Sequence, residues 1–146
     1  MTREMTHIMP VSDMPEAVPP AERTPEQVAE LLKRPFHPSV MKQKPVAGGL
    51  ANYVDIGNVI ARLNKAAPVW DWKVTNISIL TMPIKRNGQH VDMPVFHVTG
   101  ELRIPGLGTR QGIGTSPCEG TEDAGKIAES DAIKRAATMF GVPCGR

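Results

Sequence analysis

Apolar positions recur at two different periods along this chain, and the change between them separates helical from extended segments. Residues 1–23 show neither period: Pro10, Pro15, Pro19 and Pro20 interrupt a polar, methionine-containing stretch, which predicts a disordered tail. At Thr24 the signals of a helix start appear in order. Thr24 is an N-cap, Pro25 takes the first helical position, Gln27 completes a capping box, and Val28, Leu31 and Leu32 follow at helical spacing; a short helix to about Lys33 is expected. Pro35, Pro38, Pro45, Gly48 and Gly49 then read as an irregular connection that carries Lys33, Arg34, Lys42 and Lys44. Ile56, Val59, Ile60 and Leu63 mark the face of a second helix, with Asp55 as the expected cap and Pro68 just beyond its end.

From Trp70 the period falls to two. The run Trp72 to Lys85 is rich in β-branched residues and leads into Asn87-Gly88, the dipeptide that favours a tight hairpin turn. The return strand alternates, with Phe96, Val98, Gly100, Leu102 and Ile104 on a core face and His97, Thr99, Glu101 and Arg103 on an open one. Pro105-Gly106-Leu107-Gly108 turns the chain into a third strand through Arg110, Gln111 and Ile113. Trp70 and Trp72 read as core anchors. A last helix of about 20 residues is expected from the cap Thr121, with Glu122 and Asp123 in its first turn, to a stop at Gly141. Ala132, Ile133, Ala136, Ala137, Met139 and Phe140 fall on one arc of it, opposite Asp131, Lys134, Arg135 and Thr138. Alanines four apart (Ala124, Ala128, Ala132, Ala136) allow a close approach to a sheet or a neighbouring helix. The fold class is therefore α+β: a three-stranded antiparallel meander packed on a long C-terminal helix, with two helices before the sheet, in the order α-α-β-β-β-α.

With 146 residues, one domain over 24–146 is the expected organisation. Cys118 and Cys144 lack a metal-ligand spacing, which argues against structural zinc and for a reducing, cytoplasmic setting. No apolar run approaches the length of a membrane span. The net charge of +2 hides a division: residues 1–30 hold six acids and two bases, leaving nine acids and fifteen bases in 31–146. A basic folded part suits an anionic partner.

Catalytic chemistry finds little support in the pattern. Ser116, Cys118 and the histidines His7, His37, His90 and His97 show no spacing of a nucleophilic triad. Gly112-Ile113-Gly114 lacks the third glycine of a dinucleotide loop and the lysine of a phosphate-binding loop. Asp92, Glu101, Glu129 and Asp131 are scattered over strands and helix, although a small metal-dependent nuclease would draw on them. The remaining signal is cationic. Lys134-Arg135 on the exposed helix face, with Lys42, Lys44, Lys85, Arg86, Arg103, Arg110 and Lys126, suits a phosphate backbone. Asp131, three and four residues earlier, also permits ordinary helix ion pairs.

The segment from Glu129 to Gly141 contains Asp131, Lys134-Arg135-Ala136 and Phe140-Gly141. It resembles the signature of the Rad-fifty-two superfamily of single-strand annealing proteins. Tyr53-Val54-Asp55, Val59-Ile60, Leu63-Asn64 and Trp72, with Gly112-Ile113-Gly114 ahead of the last helix, are similar to the same family in the same order, over roughly Leu32 to Gly141. The resemblance implies a protein without ATP or any other cofactor that forms rings, holds single-stranded DNA in a basic groove, and lets complementary strands pair during recombination and repair. It places Lys134 and Arg135 in that groove and Lys42 and Lys44 near it, with Lys85, Arg86 and Arg103 as candidates for a second, outer site. It further implies other copies of the chain as partners, with a recombinase or a single-strand-binding protein as additional candidates. Two positions depart from the family pattern, since Thr138 and Asn58 stand where basic residues are common. A double-stranded RNA-binding module, with the same α-β-β-β-α order and Lys126 near the helix start, is the main alternative; a purely structural assembly protein is another.

Overall fold

The computed structural model describes residues 14–118 and 123–145. Its elements are α1 (Pro25–Lys33), β1 (Met41–Val46), β2 (Gly49–Val54), α2 (Ile56–Ala66), β3 (Asp71–Arg86), β4 (Gln89–Ile104), β5 (Gly108–Pro117) and α3 (Ala124–Met139). Strands β3, β4 and β5 form an antiparallel meander in that order, and β1 pairs with β2 as a separate hairpin. The fold is α+β, with helices before the sheet and α3 after it. The β1–β2 hairpin replaces the irregular connection expected there. Prolines masked it, yet Gly48 takes a positive φ of 89° in the turn, and the ladder runs on as far as Met41 and Val54. Pro45 is tolerated because β1 lies on an edge.

Local chemistry accounts for the starts and stops. In α1 both arms of the capping box are present: Gln27 N donates to Thr24 Oγ1 and Thr24 N donates to Gln27 Oε1. The Asn87-Gly88 turn closes β3 on β4, with both residues at positive φ and Arg86 opposite Gln89. Asp55 holds the N-cap position of α2, but its side chain does not cap the helix; the carboxylate turns to Lys42 instead. Thr121 and Glu122, the expected cap and first-turn acid of α3, lie outside the described residues. Of the segment expected to be a disordered tail, residues 1–13 lie outside them too. Residues 14–23 carry two short 3-10 turns, Pro15–Ala17 and Pro20–Glu22. Arg23 ties this segment down by donating to the carbonyls of Pro15, Val18, Lys65 and Ala66, the last two at the end of α2.

The main core lies between α1, α2, the end of β4 and the last turns of α3. It gathers Leu31, Leu32, Val59, Leu63, Leu102, Ile104 and Ala137, with Trp70 and Trp72 packed against it. Arg62 joins the two early helices: Nη1 donates to Leu32 O (3.1 Å) and Arg34 O (2.6 Å), and the guanidinium lies 4.1 Å from the Phe36 ring centroid. Burial, then the charge of Arg34, lowers its pKa.

Helix α3 lies on β5 and β4 with almost no side chain between. Gly112 and Gly114 face it, and an added Cβ at Gly112 would stand 2.9 Å from the carbonyl carbon of Ala132. At Gly114 it would stand 2.5 Å from Ala132 N. The alanines at intervals of four thus meet glycines at intervals of two, the helical and strand repeats that bring small residues to one line. Met139, expected on this dry face, is 61% exposed. Two residues along β5 from Gly112 stands Arg110, whose guanidinium is 5.6 Å from the Phe140 ring centroid, so the close glycine contact gives way to a long side chain at the end of α3.

Candidate nucleic-acid interface

A groove of about 590 Å³ runs between the β1–β2 hairpin and the outer face of α3. Two elements set its walls. From the hairpin come Lys44 and Tyr53, which share a face because strand residues two apart, and their cross-strand partners, point the same way. From α3 come Lys126, Ile127, Asp131, Lys134, Arg135 and Thr138, at the spacing of one helical face. The chain after α3 holds the walls together. Val54 N donates to Cys144 O (3.2 Å), and Gly145 sits so close to Asn52 and Tyr53 that a Cβ there would lie 2.6 Å from Tyr53 Cα. Glycine is required at 145 on this ground and for its φ of 99°.

The cations of the groove differ in how they are neutralised. Lys42, on the hairpin strand that carries Lys44, is ion-paired to Asp55. The hydrogen bond that its ammonium donates to that carboxylate, then the carboxylate's charge, raises the lysine's pKa. Arg135 Nε lies 3.2 Å from Asp131 Oδ2, one turn earlier. Lys134 is partly buried and, among the described residues, makes no salt bridge. Its ammonium lies 5.4 Å from the Tyr53 ring centroid, and Lys44 Nζ stands at the same distance from that ring. Burial is the main cause that lowers the pKa of Lys134, and the positive charge of Lys44 works in the same direction, against the nearby Cys144 and the carboxylates of Asp131 and Asp55. Cys144 is buried, its thiol donates to Lys134 O (3.7 Å), and burial raises its pKa. Two cations therefore share one tyrosine ring, in an open groove where an anion would relieve their repulsion.

The structure gathers part of the predicted cation set and separates the rest. Lys44, Lys126, Lys134 and Arg135 line the groove, with Lys42 adjoining through Asp55. Sequence spacing puts Lys134 on the exposed face of the helix; the hairpin makes that face a wall and half-covers the lysine. Lys85 and Arg86 flank the turn at the tip of β3–β4, and Arg103 pairs with Asp71 (3.0 Å) at the opposite end of the same strands. The two ends are about 50 Å apart at the rise of a strand, so these three residues do not form one cluster. Arg110 lies over Phe140 at the far end of α3. The acids are also dispersed: Glu129 accepts from Trp72 Nε1 (3.1 Å), Asp131 pairs with Arg135, and Asp92 and Glu101 sit on β4, opposite Pro83 and Lys73. Among the described residues no three of His, Cys, Asp and Glu are gathered to hold a metal ion.

Sequence reasoning did not place Tyr53, Asp55, Ile127 and Cys144 in a common site. The Gly48-Gly49 pair between two short polar runs was the signal that would have raised the hairpin wall; nothing local marks Cys144, which arrives by the return of the chain.

Comparisons with known proteins bear on this geometry. The family model described as "Rad52/22 family double-strand break repair protein" matches residues 24–146. A curated relative, the single-stranded DNA-binding protein DdrA of Deinococcus radiodurans, is 32% identical over 123 residues, which cover 79% of this chain and 52% of the relative. The chain thus spans about half the length of the relative it matches.

Proposed function

Since the chain belongs to the Rad52/22 family of double-strand break repair proteins, we propose that it binds single-stranded DNA in the groove between the β1–β2 hairpin and α3, and that it promotes pairing of complementary strands there without ATP. Residues 24–146 are the DNA-binding and assembly unit in this reading, and copies of the chain associate, as a ring, so that one strand passes from groove to groove. Such a protein is not an enzyme in the bond-making sense. It holds the phosphate backbone, leaves base edges accessible, and lets hybridisation supply the driving force.

The observation that carries the reading is the pair Lys44 and Lys134 on the Tyr53 ring. Lys134 is partly desolvated and, among the described residues, no carboxylate in contact balances its charge. A phosphate entering between two such cations relieves repulsion and releases counterions, a gain that requires no base sequence. Arg135 adds a third cation, one residue on from Lys134, held in place by Asp131.

Annealing of two labelled complementary oligonucleotides, without nucleotide or metal, tests this directly. The wild type is expected to speed annealing, and Lys134→Ala with Arg135→Ala to abolish it. The dependence of log affinity on log salt should become shallower by about 0.7 for each phosphate that the variant no longer neutralises. A wild type that neither binds single strands nor accelerates pairing at low salt removes the proposal. Preference for duplex RNA over single-stranded DNA would favour the double-stranded RNA module instead.

A further inference from the structure

We infer that Ile127 is the groove's contact for a nucleobase, so that the site grips a single strand by a base as well as by its phosphates. The inference rests on the single-strand reading above and deepens it. Ile127 is the strongly exposed aliphatic side chain of the groove lining, 51% accessible. The other aliphatic lining residue, Ile56, is partly buried and packs against the core. On α3, Ile127 shares a face with Asp131, Lys134 and Thr138 and stands about 10 Å from Lys134 along the axis. Its neighbour Ala128 is the residue that meets the sheet. Neither core cluster of the described residues uses the Ile127 side chain.

The chemistry selects the ligand group. A phosphate gains nothing from a branched alkyl group, which offers no donor and displaces the anion's water. A base offers a flat, weakly hydrated face that gains from apolar contact, and the cations beside Ile127 draw such a strand in. Tyr53, the aromatic side chain of the groove, already has the ammonium groups of Lys44 and Lys134 over its ring. The apolar surface left for a base is Ile127. A strand with its phosphates at Lys44 and Lys134 would then turn a base toward the N-terminal end of α3.

A two-by-two binding cycle tests this, with wild type and Ile127→Ala measured against oligothymidine and against an abasic strand of the same length by fluorescence anisotropy at fixed salt. Ile127→Ala is expected to weaken oligothymidine binding about fivefold, in keeping with truncation of one partly buried aliphatic group. The abasic strand should weaken by less than about twofold, and the salt slope should not change, because every phosphate keeps its cation. Ile127→Leu, which keeps volume and polarity, should stay close to wild type. Equal weakening on both strands, or none on either, overturns the inference and leaves single-strand binding in place. If the wild type binds neither strand, the single-strand reading and this inference fall together.

Discussion

Replacing Gly114 by alanine probes the contact that seats α3, and with it one wall of the groove. An added Cβ would stand 2.5 Å from Ala132 N and 3.0 Å from the carbonyl carbon of Ala128, and nearer still to the Ala128 carbonyl oxygen. Ordinary van der Waals contact begins near 3.4 Å, so the nearest obstruction, the Ala128 carbonyl oxygen, requires the helix to withdraw by about 1.5 Å. The obstructing atoms are backbone, and no rotamer change relieves them. Overpacking of a core typically costs ~1–3 kcal/mol. Here the upper end applies, since withdrawal also loosens the packing of Ala128 and Ala132 on Val98. A destabilisation of ~3 kcal/mol lowers Tm by about 10 °C in a domain of this size. Thermal and urea unfolding followed by circular dichroism would measure it. Gly57→Ala serves as the counterpart, because Gly57 is an exposed position of α2 where, among the described residues, nothing lies within 4 Å of an added Cβ; that variant should gain ~0.5–1 kcal/mol from helix propensity alone. A Gly114→Ala protein that melts within about 2 °C of wild type would refute the close seating of α3 on β5.

Two further outcomes follow from the electrostatics of the groove. Burial lowers the pKa of Lys134, so the free protein loses that charge at a lower pH than an ordinary lysine, whereas a bound phosphate favours the charged form. Affinity for single-stranded DNA should therefore fall as pH rises through the lowered value, and Lys134→Arg, which stays charged, should hold its affinity to higher pH; identical alkaline profiles for the two proteins would contradict the assignment. Asp55 neutralises Lys42 beside the groove, and Asp55→Asn should tighten single-strand binding at low salt, with the difference vanishing at high salt. Titration of both proteins across a salt series decides it, and weaker binding by the variant would show that Asp55 works by positioning Lys42 instead.

The elements most legible in the chain were those whose signals are local. Thr24-Pro25-Glu26-Gln27 started α1 where the capping box forms, and Asn87-Gly88 turned β3 into β4. The alternation Val98, Gly100, Leu102, Ile104 faced the core as its period required. The β1–β2 hairpin was missed for an equally physical reason: its strands are mostly exposed and carry a proline, so no buried alternation declares them. Asp55 has the sequence position of a helix cap, yet its carboxylate is claimed by a lysine on a neighbouring strand. Local propensity offered one partner, and the hairpin offered a charged one.

For the candidate site, the residues that carry charge were readable and their arrangement was not. Lys134 and Arg135 stood out beside Asp131, and the ion pair between Asp131 and Arg135 is the one that helical spacing allows. Whether those cations join Lys44 or Lys85 depends on which strands are brought beside α3. The order of α1, α2, the meander and α3, the small-residue seam and the basic balance all follow from composition and period, which act over a few residues. The hairpin wall, the Tyr53 ring between two ammonium groups, the desolvation of Lys134 and the placing of Ile127 depend on contacts between segments distant in sequence. Those contacts form only when β5 presents glycines to the alanines of α3 and the chain beyond α3 returns along β2, and no local pattern encodes the distance between two walls of a groove.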